Sequence, residues 1–382
     1  MKSLMMMTAP IGRVLVVVLL AAGVLTGCGS RTKRPDPAPL VPVTALIPAT
    51  LSWSTNVGAM DALSVPVVQG STLFVANAAG VVSALDTSRG QVAWRVELGT
   101  PLSAGVGADG QTAAVVTRSN DLVALRADGE LWRVRLNARV FTPPFVAGGR
   151  VFVLAGDRSV TAFDAASGLR LWTQPARGTD PLVLQQSGVI TAVGDTLLVG
   201  IAGRLVAFDP LNGRVRWDAA IATPRGANEI ERLVDLVGRV GRVDDQVCVR
   251  AFQAAVGCVD ADRGRLLWTQ PADGAVGVHA DADRVYGVER NGRVVAWSRA
   301  SGERLWSTDA FLHRGLTAPL AAGRSIVLGD AQGFVHLVSR EDGAMLNRLS
   351  TDGSPIISGP ILAGNTLMVV TRNGGIFGWR PE

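Results

Sequence analysis

Two of the three cysteines in this chain, Cys248 and Cys258, have the spacing of a redox pair across a β-hairpin. They lie ten residues apart in the segment QVCVRAFQAAVGCVD. If Phe252, Gln253 and Ala254 form a three-residue loop, residues whose numbers sum to 506 face each other, as 248 and 258 do. Directly opposed cysteines in an oxidising compartment predict a disulfide. Two buried free thiols are the alternative, because a loop one residue longer or shorter moves the pair out of register.

The third cysteine, Cys28, ends a segment that predicts export and acylation. A start carrying Lys2 and Arg13 precedes an apolar run, residues 14–25. About a dozen apolar residues are too few to span a bilayer comfortably, and they suit the core of a secretory signal. The run closes on LTGC, which resembles the lipobox of bacterial lipoproteins. The resemblance implies that residues 1–27 are a signal peptide and that the thiol of Cys28 is lipidated, which anchors stably with more than one acyl chain.

Residues 28–49 are expected to be a tether between the lipid and a folded domain. The segment is polar and then rich in proline, which favours an extended chain. Gly29 follows the cysteine, at a position where an aspartate commonly retains lipoproteins of enteric bacteria at the inner membrane. Its absence favours the outer membrane, with the folded domain on the periplasmic face, where conditions are oxidising.

Other chemically versatile residues do not group along the sequence. The three histidines, His279, His313 and His336, are far apart and lack metal-ligand spacing. No glycine-rich phosphate loop and no nucleophile elbow is present. The formal net charge is +5, but the basic residues alternate with acids and form no stripe. The sequence therefore predicts no metal site and no nucleic-acid partner.

An internal repeat predicts the elements that position these residues. Each unit is an apolar strand ending near Asp, a turn with Gly, and a Trp four residues after that Gly, except that the copy ending at Trp132 is one residue shorter. Successive tryptophans are 38 to 51 residues apart, which fits blades of four antiparallel strands. Asp and Gly suit a tight turn, and a Trp suits a wedge between blades. The repeat tryptophans are Trp94, Trp132, Trp172, Trp217, Trp268 and Trp306.

Seven and a half copies predict an all-β, eight-bladed β-propeller over residues 50–382. The seventh copy has Asn347 in the tryptophan position, and the eighth ends before its tryptophan. The strand around Trp53 supplies the missing piece, so it is expected to complete the last blade beside Phe377 and Trp379. A ring closed by the N-terminal strand leaves no free end to the row of blades.

Two connections are longer than the others and belong to neighbouring blades. The intervals after Trp172 and after Trp217 are 45 and 51 residues, against 38 to 41 elsewhere. The excess lies in residues 177–190 and 223–240, which connect an outer strand to the next inner strand and so share one face of a propeller. Binding residues concentrate in such departures from a regular scaffold. The spacing of charged and apolar residues in the second connection predicts a short amphipathic helical turn.

Together, the lipobox, the repeat, the NEIERLVD loop and the segment FLHRGLTAPL resemble the BamB family. Its members are the lipoprotein subunits of the outer-membrane β-barrel assembly machinery. The resemblance covers essentially the whole mature chain. It implies a propeller without a cofactor or catalytic activity that docks on the periplasmic POTRA domains of BamA. Such a protein assists the folding and insertion of outer-membrane proteins, and unfolded outer-membrane proteins are a second expected partner.

The resemblance also places the contact residues in the two long connections. In this family the first connection often has Arg where this chain has Gln185, and a second acid where it has Val237. We therefore expect polar anchoring to be weaker or rearranged. The alternative is that the leucines are core residues and the charges are only solvated. The expected partner-binding residues are Leu182, Leu184, Gln185, Glu231, Arg232 and Asp235.

A periplasmic quinoprotein dehydrogenase is the alternative from another functional class, because such enzymes resemble this repeat. They bind pyrroloquinoline quinone with calcium, near an adjacent pair of cysteines and a catalytic Asp. Here Cys248 and Cys258 are ten residues apart, and no dense acidic loop offers the six or so oxygen ligands of calcium. The sequence therefore favours a binding scaffold over an enzyme.

Overall fold

The computed structural model is built from strands. The described residues contain 32 strands, which form eight four-stranded antiparallel sheets. No helix in the described part of the chain could span a membrane. The compact body runs from Pro37 to Glu382. Cys28 and the predicted signal peptide lie outside the described residues, which are 35–61, 63–175, 183–224, 228–229 and 232–381.

The sheets are the blades of a ring, and all but one are continuous in the chain. Strand β1 (Ala49–Asn56) belongs to the last blade. Blade 1 contains β2 (Val67–Gln69), β3 (Thr72–Ala76), β4 (Val81–Asp86) and β5 (Val92–Glu97). Blade 2 contains β6 (Gly107–Ala108), β7 (Ala113–Val116), β8 (Asp121–Arg126) and β9 (Gly129–Arg135). Blade 3 contains β10 (Phe145–Ala147), β11 (Arg150–Leu154), β12 (Val160–Asp164) and β13 (Arg170–Gln174).

The remaining blades repeat this order. Blade 4 contains β14 (Ile190–Val193), β15 (Thr196–Ile201), β16 (Arg204–Phe208) and β17 (Val215–Ala220). Blade 5 contains β18 (Leu236–Val243), β19 (Gln246–Ala251), β20 (Ala255–Asp260) and β21 (Arg265–Pro271). Blade 6 contains β22 (His279–Ala280), β23 (Arg284–Val288), β24 (Val294–Ser298) and β25 (Arg304–Thr308). Blade 7 contains β26 (Leu320–Ala322), β27 (Ser325–Gly329), β28 (Phe334–Ser339) and β29 (Met345–Ser350). Blade 8 contains β30 (Ile361–Ala363), β31 (Thr366–Val370), β32 (Gly375–Pro381) and β1.

The core lies between blades, as eight apolar clusters that each join two neighbouring sheets. The second and third strands are almost wholly buried, whereas the fourth strand mostly alternates between half-buried and exposed side chains. Continuous apolar runs therefore mark the middle strands, and alternation marks the outer one. The cluster between blades 8 and 1 contains Trp53, Leu73 and Met368, so it closes the ring.

The repeat tryptophan fastens each blade to the next. Trp172, on β13, donates its indole N–H to the carbonyl of Pro210 at 2.9 Å, in the turn of blade 4. In the same turn Gly213 has φ +74°, and a Cβ at this position would overlap the Trp172 ring. The turn glycine therefore provides both the backbone conformation and the space for the ring. Equivalent indole bonds are donated by Trp53, Trp132, Trp217, Trp268 and Trp306.

The exception at Asn347 follows from the way the ring closes. Trp53 of β1 pairs opposite Gly378 of β32, which confirms the predicted closure. Blade 8 consequently has no turn between its third and fourth strands to receive a tryptophan from blade 7. Asn347 instead donates its side-chain N–H to the carbonyl of Ile47, at 2.7 Å, in the chain that enters β1.

The segment before β1, residues 37–48, packs along blade 7 and is named here the N-terminal strap. Ala38 donates its N–H to the carbonyl of Leu312 at 2.8 Å, and Leu46 donates to that of Leu346 at 2.8 Å. The predicted tether therefore needs a correction: its strap portion belongs to the propeller, and β1 begins at Ala49. Backbone groups that find partners on a sheet edge order a proline-rich segment that composition alone describes as extended.

A buried charge network holds the strap. Arg314 is 2 % exposed and donates from Nε to Asp330 at 2.8 Å and from Nη1 to the carbonyl of Ala38 at 2.9 Å. His336 completes the network at 2.9 Å from Asp330. Burial lowers the pKa of His336, although the Asp330 carboxylate opposes this effect. Arg314 lies within FLHRGLTAPL, so this part of the segment has a structural role.

Candidate partner-binding surface

The two long connections meet as one surface, named here the joined surface. They lie between β13 and β14 and between β17 and β18, on the same face of neighbouring blades. A β-bridge joins Gly188 to Val237, and Gly238 donates its N–H to the carbonyl of Ser187 at 3.0 Å. These contacts join the backbones of the two connections, so residues of both connections keep fixed positions relative to each other.

Asp235 is the side chain that links the described parts of both connections. Its Oδ2 accepts the N–H of Leu184 at 3.0 Å, and its Oδ1 lies 3.4 Å from Nη2 of Arg158. The carboxylate is 17 % exposed and the arginine 9 %. Its backbone carbonyl also accepts the N–H of Phe252 at 3.0 Å. Asp235 therefore positions the backbone of Leu184, and its predicted role as a contact charge stays a prediction.

Arg158 was not identified from the sequence. It sits in the β11–β12 turn of blade 3 with φ +65°, and its buried side chain reaches Asp235 of the second connection. A positive φ at a residue with a long side chain is uncommon and marks a turn held by its surroundings. In the sequence, however, DRS resembles any hairpin turn, so no local signal distinguishes this arginine.

The other predicted residues differ in their surroundings. Leu184 is half-buried, and Gln185 and Arg232 are exposed. Leu182 and Glu231 lie outside the described residues. The structure therefore brings together three of the predicted residues. Leu184 is an apolar side chain, Gln185 is its exposed polar neighbour, and Asp235 accepts the backbone N–H of Leu184.

The predicted amphipathic turn of helix is not present in residues 228–229 and 232–235, which are turn and coil. Leu236 and Val237 are strand residues of β18 that pair with Ala251 and Arg250 and are each 1 % exposed. Their strand pairing takes precedence over the helical spacing. Val237, the position where the resemblance leads us to expect a second acid, is thus buried in the strand.

The hairpin of blade 5 brings the two cysteines together. Ala251 pairs with Ala255 and Cys248 with Cys258, which confirms the predicted register. The two sulfur atoms are bonded in the structure, and both residues are fully buried. His279 and His336 lie in different blades and His313 lies in a connection. Within the described ranges no three His, Cys, Asp or Glu side chains are grouped as a metal site.

Comparisons with known proteins agree with this fold. A family model described as "Outer membrane protein assembly factor BamB" matches residues 43–101 and 78–308. The BamB of Burkholderia pseudomallei is 38 % identical over 379 residues, covering 98 % of both chains. The BamB of Bordetella pertussis is 33 % identical, covering 94 % of this chain and 95 % of that protein. The crystal structure of BamB from Moraxella catarrhalis superposes with a TM-score of 0.79 at 26 % identity, covering 87 % of this chain and 99 % of that one.

The dehydrogenases are more distant. A quinohemoprotein alcohol dehydrogenase from Pseudomonas putida superposes with a TM-score of 0.66 at 13 % identity, covering 87 % of this chain and 76 % of that one. Such a likeness shows a shared propeller and carries no activity. The near full-length relatives bear the name of an assembly factor, a non-catalytic role, so the interpretation as a scaffold holds over the dehydrogenase alternative. This chain belongs to the BamB family of outer membrane protein assembly factors.

Proposed function

We propose that this protein is a non-catalytic scaffold subunit of the outer-membrane β-barrel assembly machinery. In this role it binds the POTRA domains of BamA and assists the folding and insertion of outer-membrane proteins, which it also contacts in unfolded form. The observation that carries the proposal is the joined surface, where Asp235 holds the backbone of Leu184 and presents Gln185 to solvent. A half-buried apolar residue flanked by polar groups suits a modest protein interface.

We propose further that the protein is anchored at the periplasmic face of the outer membrane through acylated Cys28. The support is the lipobox sequence and the outer-membrane role named for its relatives. Replacing Cys28 with Ala should release the chain from the outer-membrane fraction as an unprocessed precursor. Retention of that variant in the outer membrane, processed to the mass of the mature chain, would disprove acylation at this position.

The partner surface is tested by a titration of the POTRA domains with Gln185→Arg and Gln185→Glu. Replacing an exposed side chain usually changes the free energy of unfolding by less than about 0.5 kcal/mol, so both variants should have the melting temperature of the parent. We expect Arg to tighten and Glu to weaken binding, because Gln185 occupies the position where relatives often carry a cation. Gln91→Arg, an exposed glutamine on blade 1, is the matched control and should leave the affinity unchanged.

Asp235 provides a second, independent readout. Asp235→Ala removes the acceptor for the Leu184 N–H and should cost about 1–3 kcal/mol of folding stability as well as affinity. Asp235→Asn keeps one oxygen acceptor and should retain more of both. Asp218→Ala, which breaks a more exposed pair with Arg204 on blade 4, controls for loss of a carboxylate. Unchanged POTRA affinity in all Gln185 and Asp235 variants would exclude this surface as the binding site.

A further inference from the structure

A cavity of about 400 Å³ lies in the central channel of the ring, and residues in or just before the first strands of all eight blades line it. It occupies the end of this channel beside the joined surface. Its wall is formed by the chain at the start of each blade's first strand, with side chains such as Val65, Val106, Phe145 and Ile357. Gln186 and Ser187 of the first connection also line it. The volume falls within the roughly 300–1,000 Å³ of small-ligand sites, and a mostly apolar wall with few polar groups is typical of them.

One cation projects into this apolar space. Arg239 of β18 donates from Nη1 to the carbonyl of Pro319 at 3.2 Å and to that of Pro360 at 2.8 Å. These prolines precede the first strands of blades 7 and 8, so the side chain crosses the channel from blade 5. Among the described residues no acceptor contacts its Nε or Nη2. Three N–H donors of the guanidinium therefore remain for an occupant of the cavity.

No described acid compensates this charge. Arg239 is the only charged residue in the described cavity wall, and it forms no ion pair with the described residues. Burial lowers the pKa of Arg239 to about 10, so the group stays protonated at neutral pH. His279 contributes no negative charge, and burial together with the nearby Arg239 lowers its pKa to about 4. A half-buried cation without a counter-charge is unfavourable, and an anion that enters the cavity would supply that counter-charge.

The available donors specify the class of anion. Nε and Nη2 form the planar edge of a guanidinium that matches the two oxygens of a carboxylate. One guanidinium neutralises one charge, and the described wall contains no second cation. We propose that the central cavity binds a monoanionic carboxylate carried on an apolar body, with Arg239 pairing to the carboxylate and the valine, isoleucine and phenylalanine side chains covering the body. A fatty acid and the C-terminus of a polypeptide ending in an apolar residue share this chemistry.

The chain with an unchanged cavity, called wild-type below, gives the first test. The mature protein with Cys28→Ser, which carries no acyl chain and needs no detergent, is titrated calorimetrically with octanoate, octan-1-ol and octylammonium. We expect saturable binding of octanoate that is at least tenfold tighter than binding of octanol, and none of octylammonium. Acetyl-Val-Leu with a free carboxylate, against its C-terminal amide, tests the polypeptide source. Binding of either carboxylate supports the proposal, and the tighter of the two identifies the source.

Substitution of the cation gives the second test. Arg239→Gln should weaken the binding of octanoate at least tenfold, so that octanoate no longer binds more tightly than octanol. Arg239→Lys should retain part of this difference in affinity. Arg242→Gln is the matched control, because Arg242 lies on the same strand and also donates to two backbone carbonyls, of Asp244 and Ala192, but is exposed. Melting temperatures of all variants are recorded alongside.

Two results would overturn the proposal. One is the absence of saturable carboxylate binding by the wild-type chain, or equal affinity for octanoate and octanol. The other is unchanged octanoate affinity in a folded Arg239→Gln variant. Either result would leave Arg239 with the purely structural role of joining blades 5, 7 and 8 across the channel. If Arg239→Gln does not fold, the comparison of octanoate with octanol in the wild-type chain still decides.

Discussion

Single polar side chains join parts of this ring that are far apart in the chain. Asp235 reaches Leu184, 51 residues away, and Arg158, 77 residues away. Arg314 holds the carbonyl of Ala38 across 276 residues. The contacts with Leu184 and Ala38 satisfy part-buried backbone groups outside the strand ladders, which gives a charged residue a reason to occupy a poorly exposed place.

The Cys248–Cys258 pair carries a prediction at the same scale. The mature domain without Cys28, unfolded without reductant, should contain no free thiol, because the two sulfur atoms are bonded in a buried, directly opposed pair. Closing a loop of about ten residues should stabilise the domain by roughly 2–3 kcal/mol. Reductant should therefore lower its free energy of unfolding by the same amount. Thiol titration with and without reductant measures the count. Two free thiols in the untreated protein would reject the bridge.

The cysteine register was predictable from the sequence because the hairpin is local and residue numbers alone determine the opposite partner. The role of Asp235 was not predictable, since its two partners lie in other connections. The same holds for Arg239, whose acceptors are carbonyls of two other blades. Sequence patterns report local periodicity, and they do not show which distant backbone group a side chain meets.

At the scale of elements, the tryptophan and the turn glycine of the next blade act as one joint. The period of the repeat predicted the blades. Blade 2 has a turn one residue shorter than the others, and a Cβ on its Gly129 would meet no atom within 4 Å. No described carbonyl accepts the indole N–H of Trp94. The shorter turn therefore weakens one of the joints, and apolar burial holds blades 1 and 2 together.

The joint is tested by comparing two glycines of blade 4. Gly213→Ala should cost about 1–3 kcal/mol more than Gly194→Ala. Both glycines have positive φ, +74° and +55°, so both variants bear the same kind of backbone strain. Only at Gly213 would the new methyl group overlap a neighbour, the Trp172 ring, whereas nothing lies within 4 Å of Gly194. Urea unfolding gives both free energies, and equal losses would contradict the role of the ring contact.

At the scale of the whole molecule, the ring depends on the meeting of its two ends. Strand β1 completes blade 8, and its Trp53 donates to the carbonyl of Thr87 in blade 1 at 3.1 Å. The number of blades and the closure by β1 were predictable because the incomplete copies at the two ends add up to one unit. The strap was not predictable, because its proline-rich composition is also that of a free tether. Its order comes from partners on blade 7, such as Arg348, which donates to the carbonyl of Val41 at 3.0 Å.

Two truncated chains separate the contribution of β1, which closes the ring, from that of the N-terminal strap. A chain that begins at Ala49 lacks the strap but keeps β1, so it should remain a folded monomer that is less stable by about 2–4 kcal/mol, given net contributions near 1 kcal/mol per lost hydrogen bond. A chain that begins at Val57 also lacks β1. It exposes the edge of β32 and leaves empty the space that Trp53 fills in the cluster between blades 8 and 1. An exposed strand edge beside unfilled apolar surface promotes association, so this chain should aggregate or unfold. Size-exclusion chromatography and urea unfolding of both chains give the answer, and a monomeric, equally stable chain from Val57 would mean that the ring does not need its N-terminal strand.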